Sequence, residues 1–99
     1  FKTKNIMYTI WKYELEFEAV TKLQVPKDAE ILTVQQDEKT FKPCIWLMVK
    51  TDNDTEERLF ELFGTGQEIK YDMGIDRKYI GTYQYQKGEF VGHVFEYTG

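Results

Sequence analysis

The end of the chain limits the fold more than any other part. Two runs, YIGTYQYQ (Tyr79–Gln86) and FVGHVFEY (Phe90–Tyr97), are rich in aromatic and β-branched residues and flank Lys87-Gly88. Runs of this kind joined by a short glycine-containing turn form an antiparallel hairpin. Gly81 and Gly92 inside the runs point to bulges or to close backbone approaches.

The same period of two recurs upstream. In MYTIWKYELEF, Trp11, Tyr13, Leu15 and Phe17 fall on one face and Lys12, Glu14 and Glu16 on the other, as in a half-buried strand. TKLQVP places Leu23 and Val25 together and stops at Pro26, which lacks a ladder donor; a short helix over Glu18–Leu23 competes with this strand. A further strand is expected around Ile31–Gln35, followed by a connecting turn in DEKTFKP. Cys44–Val49 is apolar on both faces, which suits a central strand covered on both sides. KTDNDTEE reads as a polar loop, RLFELF as a fifth strand or one helical turn, and the residues through KYDMGIDRK as irregular. The expectation is a mainly β fold: a small antiparallel barrel or sandwich of about seven short strands with little helix.

The 99 residues suit a single domain over 1–99, with Met7 a candidate native start and residues 1–6 a leader or an added segment. Aromatic residues are 16% of the chain, a bias toward pleated, half-buried surfaces. The net charge of −4 argues against general nucleic-acid binding, which needs a dense cationic footprint. No apolar run reaches the length of a membrane span, and the N-terminus lacks the apolar core of a signal peptide. Cys44 is the only cysteine, which fits a reducing compartment. The acceptor pattern Asn53-Asp54-Thr55 is then a chance match.

Four features are candidates for chemistry. ELFGTGQEI looks like a phosphate loop, but Ile69 stands where a dinucleotide fingerprint needs its third glycine. Gln67 and Glu68 stand where a P-loop needs lysine and a hydroxyl residue, and no helix is expected after them. The loop reads as a turn, or as an exposed loop that touches a partner. TDNDTEE fails as a calcium loop, with Glu57 at the glycine position and Phe63 at the glutamate position. His93 is the only histidine; nothing in the spacing pairs it with Cys44, which reads as a buried, inert thiol. Tyr83 and Tyr85 share a face and follow Tyr79, a stripe that lines a core or a protein-contact patch. No cofactor or metal is expected.

The order of IWKYEL, AEILTVQ, CIWLMV, FGTG, YIGTYQ and HVFEY resembles that of a family of small uncharacterised bacteriophage and prophage proteins, over roughly Met7 to Tyr97. The resemblance implies a viral origin and a host bacterial cytoplasm, and it supplies no catalytic residues. The expected function is a non-enzymatic phage accessory protein that binds and inhibits a host protein, such as a defence component or a polymerase. An alternative is a homo-oligomeric sponge that sequesters a nucleotide signal. The second alternative is a small enzyme using Glu61, Glu68 and Asp72. The candidate binding residues are Phe63, Gly64, Thr65, Gly66, Gln67, Tyr83, Tyr85 and His93. An edge strand near Thr21–Val25 is a candidate for pairing with a second copy.

Overall fold

A computed structural model describes residues 7–16, 20–69, 76–85 and 88–98. The expectations for residues 1–6, Phe17, the start of the competing helix, Tyr71, Asp72 and Lys87 fall outside these. Among the described residues seven strands follow in chain order: β1 (Tyr8–Glu14), β2 (Val20–Pro26), β3 (Glu30–Gln36), β4 (Pro43–Lys50), β5 (Thr55–Gly64), β6 (Arg77–Tyr85) and β7 (Phe90–Tyr97). The described part of the competing helix is strand β2. β5 starts at Thr55, inside the expected polar loop, and RLFELF is strand throughout.

The strands form a three-stranded sheet, β1-β4-β3, and a four-stranded sheet, β2-β5-β7-β6, antiparallel throughout. The sheets stay separate, so the fold is a sandwich and not a closed barrel. β3 and β6 lie against each other along one side. There Gly81 sits so close to Val34 that a β-carbon would just touch its side chain. β1 and β2 are the other two edges, and they do not pair with each other.

Inner faces follow from register. β4 alternates Ile45, Leu47 and Val49 inward, each fully buried, against Tyr13, Trp11 and Thr9 of β1. Phe60, Leu62 and Val94 supply the opposing layer from the four-stranded sheet. Burying one such side chain contributes roughly 1.5–3 kcal/mol. β4 is central by pairing, but its far face is only partly covered: Trp46 and Met48 there are half-buried. A three-stranded sheet with no third layer described beyond it leaves that face open.

Two residues shape the β3–β4 connection. Asp37 closes the β3–β4 turn, its carboxylate accepting from the Lys39 and Thr40 amides at 2.7 and 3.2 Å. Phe41 in that turn has φ 62°, an uncommon conformation outside glycine; its ring packs edge-on against Tyr85.

Candidate functional site

Residues opposite each other in antiparallel strands share a face. Phe63 and Thr82 both lie opposite His93, and Glu61 and Tyr79 both lie opposite Phe95. These six residues therefore stand on one face of the four-stranded sheet. Leu62, Tyr83, Gly92 and Val94 stand on the other, toward the core.

A row of hydrogen bonds crosses the outward face. His93 Nε2 lies 2.7 Å from Thr65 Oγ1, and His93 Nδ1 lies 3.0 Å from Thr82 Oγ1. The Thr82 hydroxyl also meets the Tyr79 hydroxyl. A neutral imidazole donates through one nitrogen and accepts through the other. Hydroxyls at both ends satisfy it in either tautomer. Beside the row, Phe95 takes edge contacts from Phe63 and Tyr79, with ring centroids 5.8 and 5.5 Å apart. The Arg77 guanidinium lies 5.8 Å over the Phe63 ring and donates to Glu61 at 2.7 and 3.3 Å. Phe63 is 8% exposed, although it points away from the core. Tyr79 stands open at 55%.

The FGTG segment is a turn. The Gln67 amide donates to the Gly64 carbonyl at 3.0 Å, and Gln67 Oε1 accepts from the Gly64 amide at 3.0 Å. Gly66 has φ 86°, which a side chain would strain. The turn carries Thr65 up to His93.

The eight candidate residues thus divide. Phe63, Thr65 and His93 come together on the outward face, and Gly64, Gly66 and Gln67 build the adjoining turn. Tyr83 and Tyr85 turn inward and pack against the core. The Tyr83 ring lies on Gly92 where a β-carbon would stand, so that glycine is a close approach, as its place in the strand suggested. Among the described residues the Tyr83 hydroxyl has no hydrogen-bond partner, and burial pushes its pKa up to about 12. Tyr79 does not continue the stripe. The ladder slips between Tyr79 and Gly81, which moves Tyr79 to the face of Thr82 and His93. Thr82, Phe95 and Arg77 are not among the sequence candidates, and Tyr79 stood there only as part of the tyrosine stripe. For Tyr79 and Arg77 the signal was Gly81: a bulge there reverses the parity of the β6 residues before it.

Other polar clusters are closed on themselves. A cleft of about 1080 Å³ opens at one end of the sandwich, beside Ala29, Arg58 and Glu96. Arg58 grips both oxygens of Glu96 at 2.6 and 2.7 Å, which raises its pKa, and donates to the Ala29 carbonyl at 2.8 Å. Those charges answer each other. Glu14, Asp37 and Cys44 place possible ligand atoms within 4.8 Å of one another. The Lys12 ammonium, 2.6 Å from Asp37, already supplies the positive charge there. It holds the Asp37 carboxyl down to about 2, helped by the turn amides. Burial raises the Cys44 pKa and keeps it a thiol. Cys44 and His93 belong to different sheets. No helix among the described residues is long and apolar enough to cross a membrane.

Residues 7–99 match the model of a family described as "Domain of unknown function (DUF7352)". No curated protein and no solved structure matches the chain.

Proposed function

The chain belongs to the DUF7352 family, and we propose that it is a non-catalytic binding protein that docks a protein partner on the outward face of its four-stranded sheet. The observation that carries this reading is the state of His93. Both ring nitrogens are engaged by threonine hydroxyls. Thr65 beside the ring has the form of a nucleophile next to a base, but the group on the second nitrogen is the neutral Thr82 hydroxyl and not a carboxylate that would stabilise an imidazolium. An imidazole held in a row that ends at an exposed tyrosine is instead a fixed recognition element. Aromatic rings with satisfied polar neighbours on rigid strands are the usual anchors of protein interfaces.

Resemblance to phage and prophage proteins extends the proposal. The partner is a host bacterial protein in the host cytoplasm, such as a defence component or a polymerase, and docking inhibits it. The net charge of −4 favours a basic partner surface. An enzymatic role has less support: Glu61 is tied to Arg77, Glu68 is exposed at the turn, and Asp72 lies outside the described residues.

Affinity capture from bacterial lysate with the wild-type chain and a Tyr79→Ala/His93→Ala variant tests the reading. A protein retained by the wild type and lost by a variant of unchanged melting temperature is expected. Equal retention by both would overturn this face as the site. The nucleotide-sponge reading keeps one specific observation, the Thr65–His93 contact that joins the turn to the histidine. A cyclic-nucleotide panel in a thermal-shift assay decides it: a bound ligand raises Tm by mass action, and a flat panel removes the reading.

A further inference from the structure

Among the described residues two edges of the sandwich are unpaired, β1 and β2, and they are not alike. In an antiparallel pair, alternate residues aim both backbone groups at the neighbour and the others aim them away. Beside β1, the Thr51 amide donates to the Met7 carbonyl and the Leu15 amide donates to the Pro43 carbonyl. Odd-numbered residues of β1 therefore face β4, and Tyr8, Ile10, Lys12 and Glu14 aim their backbone groups outward. In β2 the Lys27 amide donates to the Asp54 carbonyl, so the even-numbered residues face outward there. One of them is Pro26, which has no donor to offer, and another is Lys22. Proline and lysine are standard protection for a sheet edge.

β1 lacks such protection. It is a regular seven-residue strand with no proline and no break in its ladder. Its one lysine, Lys12, is tied to Asp37. It also exposes Tyr8, Ile10 and Trp11, at 60%, 56% and 41%.

We infer that β1 pairs antiparallel with β1 of a second copy across a two-fold axis, joining two three-stranded sheets into one of six. The occupant is a second copy because the strand is complementary to itself in one register. With the axis at Trp11, Tyr8 faces Glu14 and Ile10 faces Lys12 of the other copy. All four outward residues of each copy then pair, for about eight main-chain hydrogen bonds by the antiparallel rule. An axis at Lys12 sets two like charges opposite each other, which is unfavourable. An axis at Ile10 leaves Glu14 opposite no residue of β1, and an axis at Tyr13 sets Lys12 against Glu14 but leaves Tyr8 and Ile10 opposite none. The number of ladder bonds within β1 thus chooses the register. It places the two Trp11 rings side by side, at a position that makes no ladder bonds across the axis, and so covers the open side of the sandwich. The edge expected to pair from sequence, Thr21–Val25, is the protected one.

Sedimentation equilibrium of the full chain tests this, with a species of twice 11.8 kDa expected as concentration rises. Ile10→Pro removes only an outward donor, so the β1–β4 ladder survives; self-association should weaken at least about tenfold, with the circular-dichroism spectrum kept. Trp11→Cys should cross-link to itself under mild oxidation. Thr9→Cys, which faces Tyr13 of the other copy, should not. A chain that stays monomeric at every concentration would overturn the inference. So would a dimer indifferent to Ile10→Pro, which pairs by another surface, or cross-linking of Thr9→Cys as fast as Trp11→Cys.

Discussion

Each face of the four-stranded sheet carries an arginine–glutamate pair, and the two pairs are shielded almost equally. Arg58 and Glu96, toward the core, have side chains 16% and 12% exposed; Arg77 and Glu61, on the outward face, are at 17% and 12%. An outward face of a sandwich is ordinarily solvated, and ion pairs there contribute little. This one is dry at its centre. What differs is the company. The inner pair stands by Phe60 and the Ala29 carbonyl; the outer stands over Phe63, next to the row of Thr65, His93, Thr82 and Tyr79. The inner face is organised for cohesion. The outer face spends comparable order on a surface.

Substitutions on matched positions test that comparison. The largest effect is expected from the two arginines. Arg58→Ala strands a shielded carboxylate and should cost on the order of 3 kcal/mol in urea unfolding. Arg77→Ala should cost about as much if the outward face is truly dry; a loss nearer 0.5 kcal/mol, typical of exposed pairs, would break the comparison. Gly92→Ala drives a methyl group into the Tyr83 ring and should cost about 2 kcal/mol by overpacking, whereas Thr82→Ala opposite the same strand should cost under about 1 kcal/mol.

Smaller effects separate the two tyrosines. Tyr83→Phe removes a buried hydroxyl without a described partner and should be neutral or stabilise by up to about 1 kcal/mol. Burial raises the Tyr83 pKa from 10.0 to about 12, so its folded form holds the proton longer than the unfolded chain does. Stability from this group is complete below pH 10 and is lost as pH climbs toward 12; Tyr83→Phe should flatten that alkaline limb of Tm against pH. Tyr79→Phe, on an exposed ring, should change stability by under about 0.5 kcal/mol. The smallest effect lies at acid pH. Asp37 is held at about 2 against an ordinary 3.8, so its contribution is present above 3.8 and falls away toward pH 2. Asp37→Asn should lose that acid dependence, read from Tm between pH 2 and 5.

Much of the fold was legible because β pattern is local. Alternation in Trp11–Tyr13–Leu15, the proline after Val25 and Gly88, with φ 94°, each report on backbone geometry within a few residues. The candidate site was legible in part. Thr65 and His93 stood out as a turn residue and a lone histidine, and the structure joins them. Tyr83 and Tyr85 stood out for the same period-two reason, and that reason sends them inward.

Amphipathic period and turn chemistry, both properties of neighbouring residues, were therefore enough to specify seven strands and no extended helical pattern. Pairing order was beyond them, because the choice between barrel and sandwich depends on which edges meet across dozens of residues. Here β3 and β6 lie against each other while β1 and β2 do not pair. The outward site is tertiary for the same reason. One slipped residue beside Gly81 reverses which side chains share a face, and only the register of β6 on β7 says that Tyr79, Thr82 and His93 stand together.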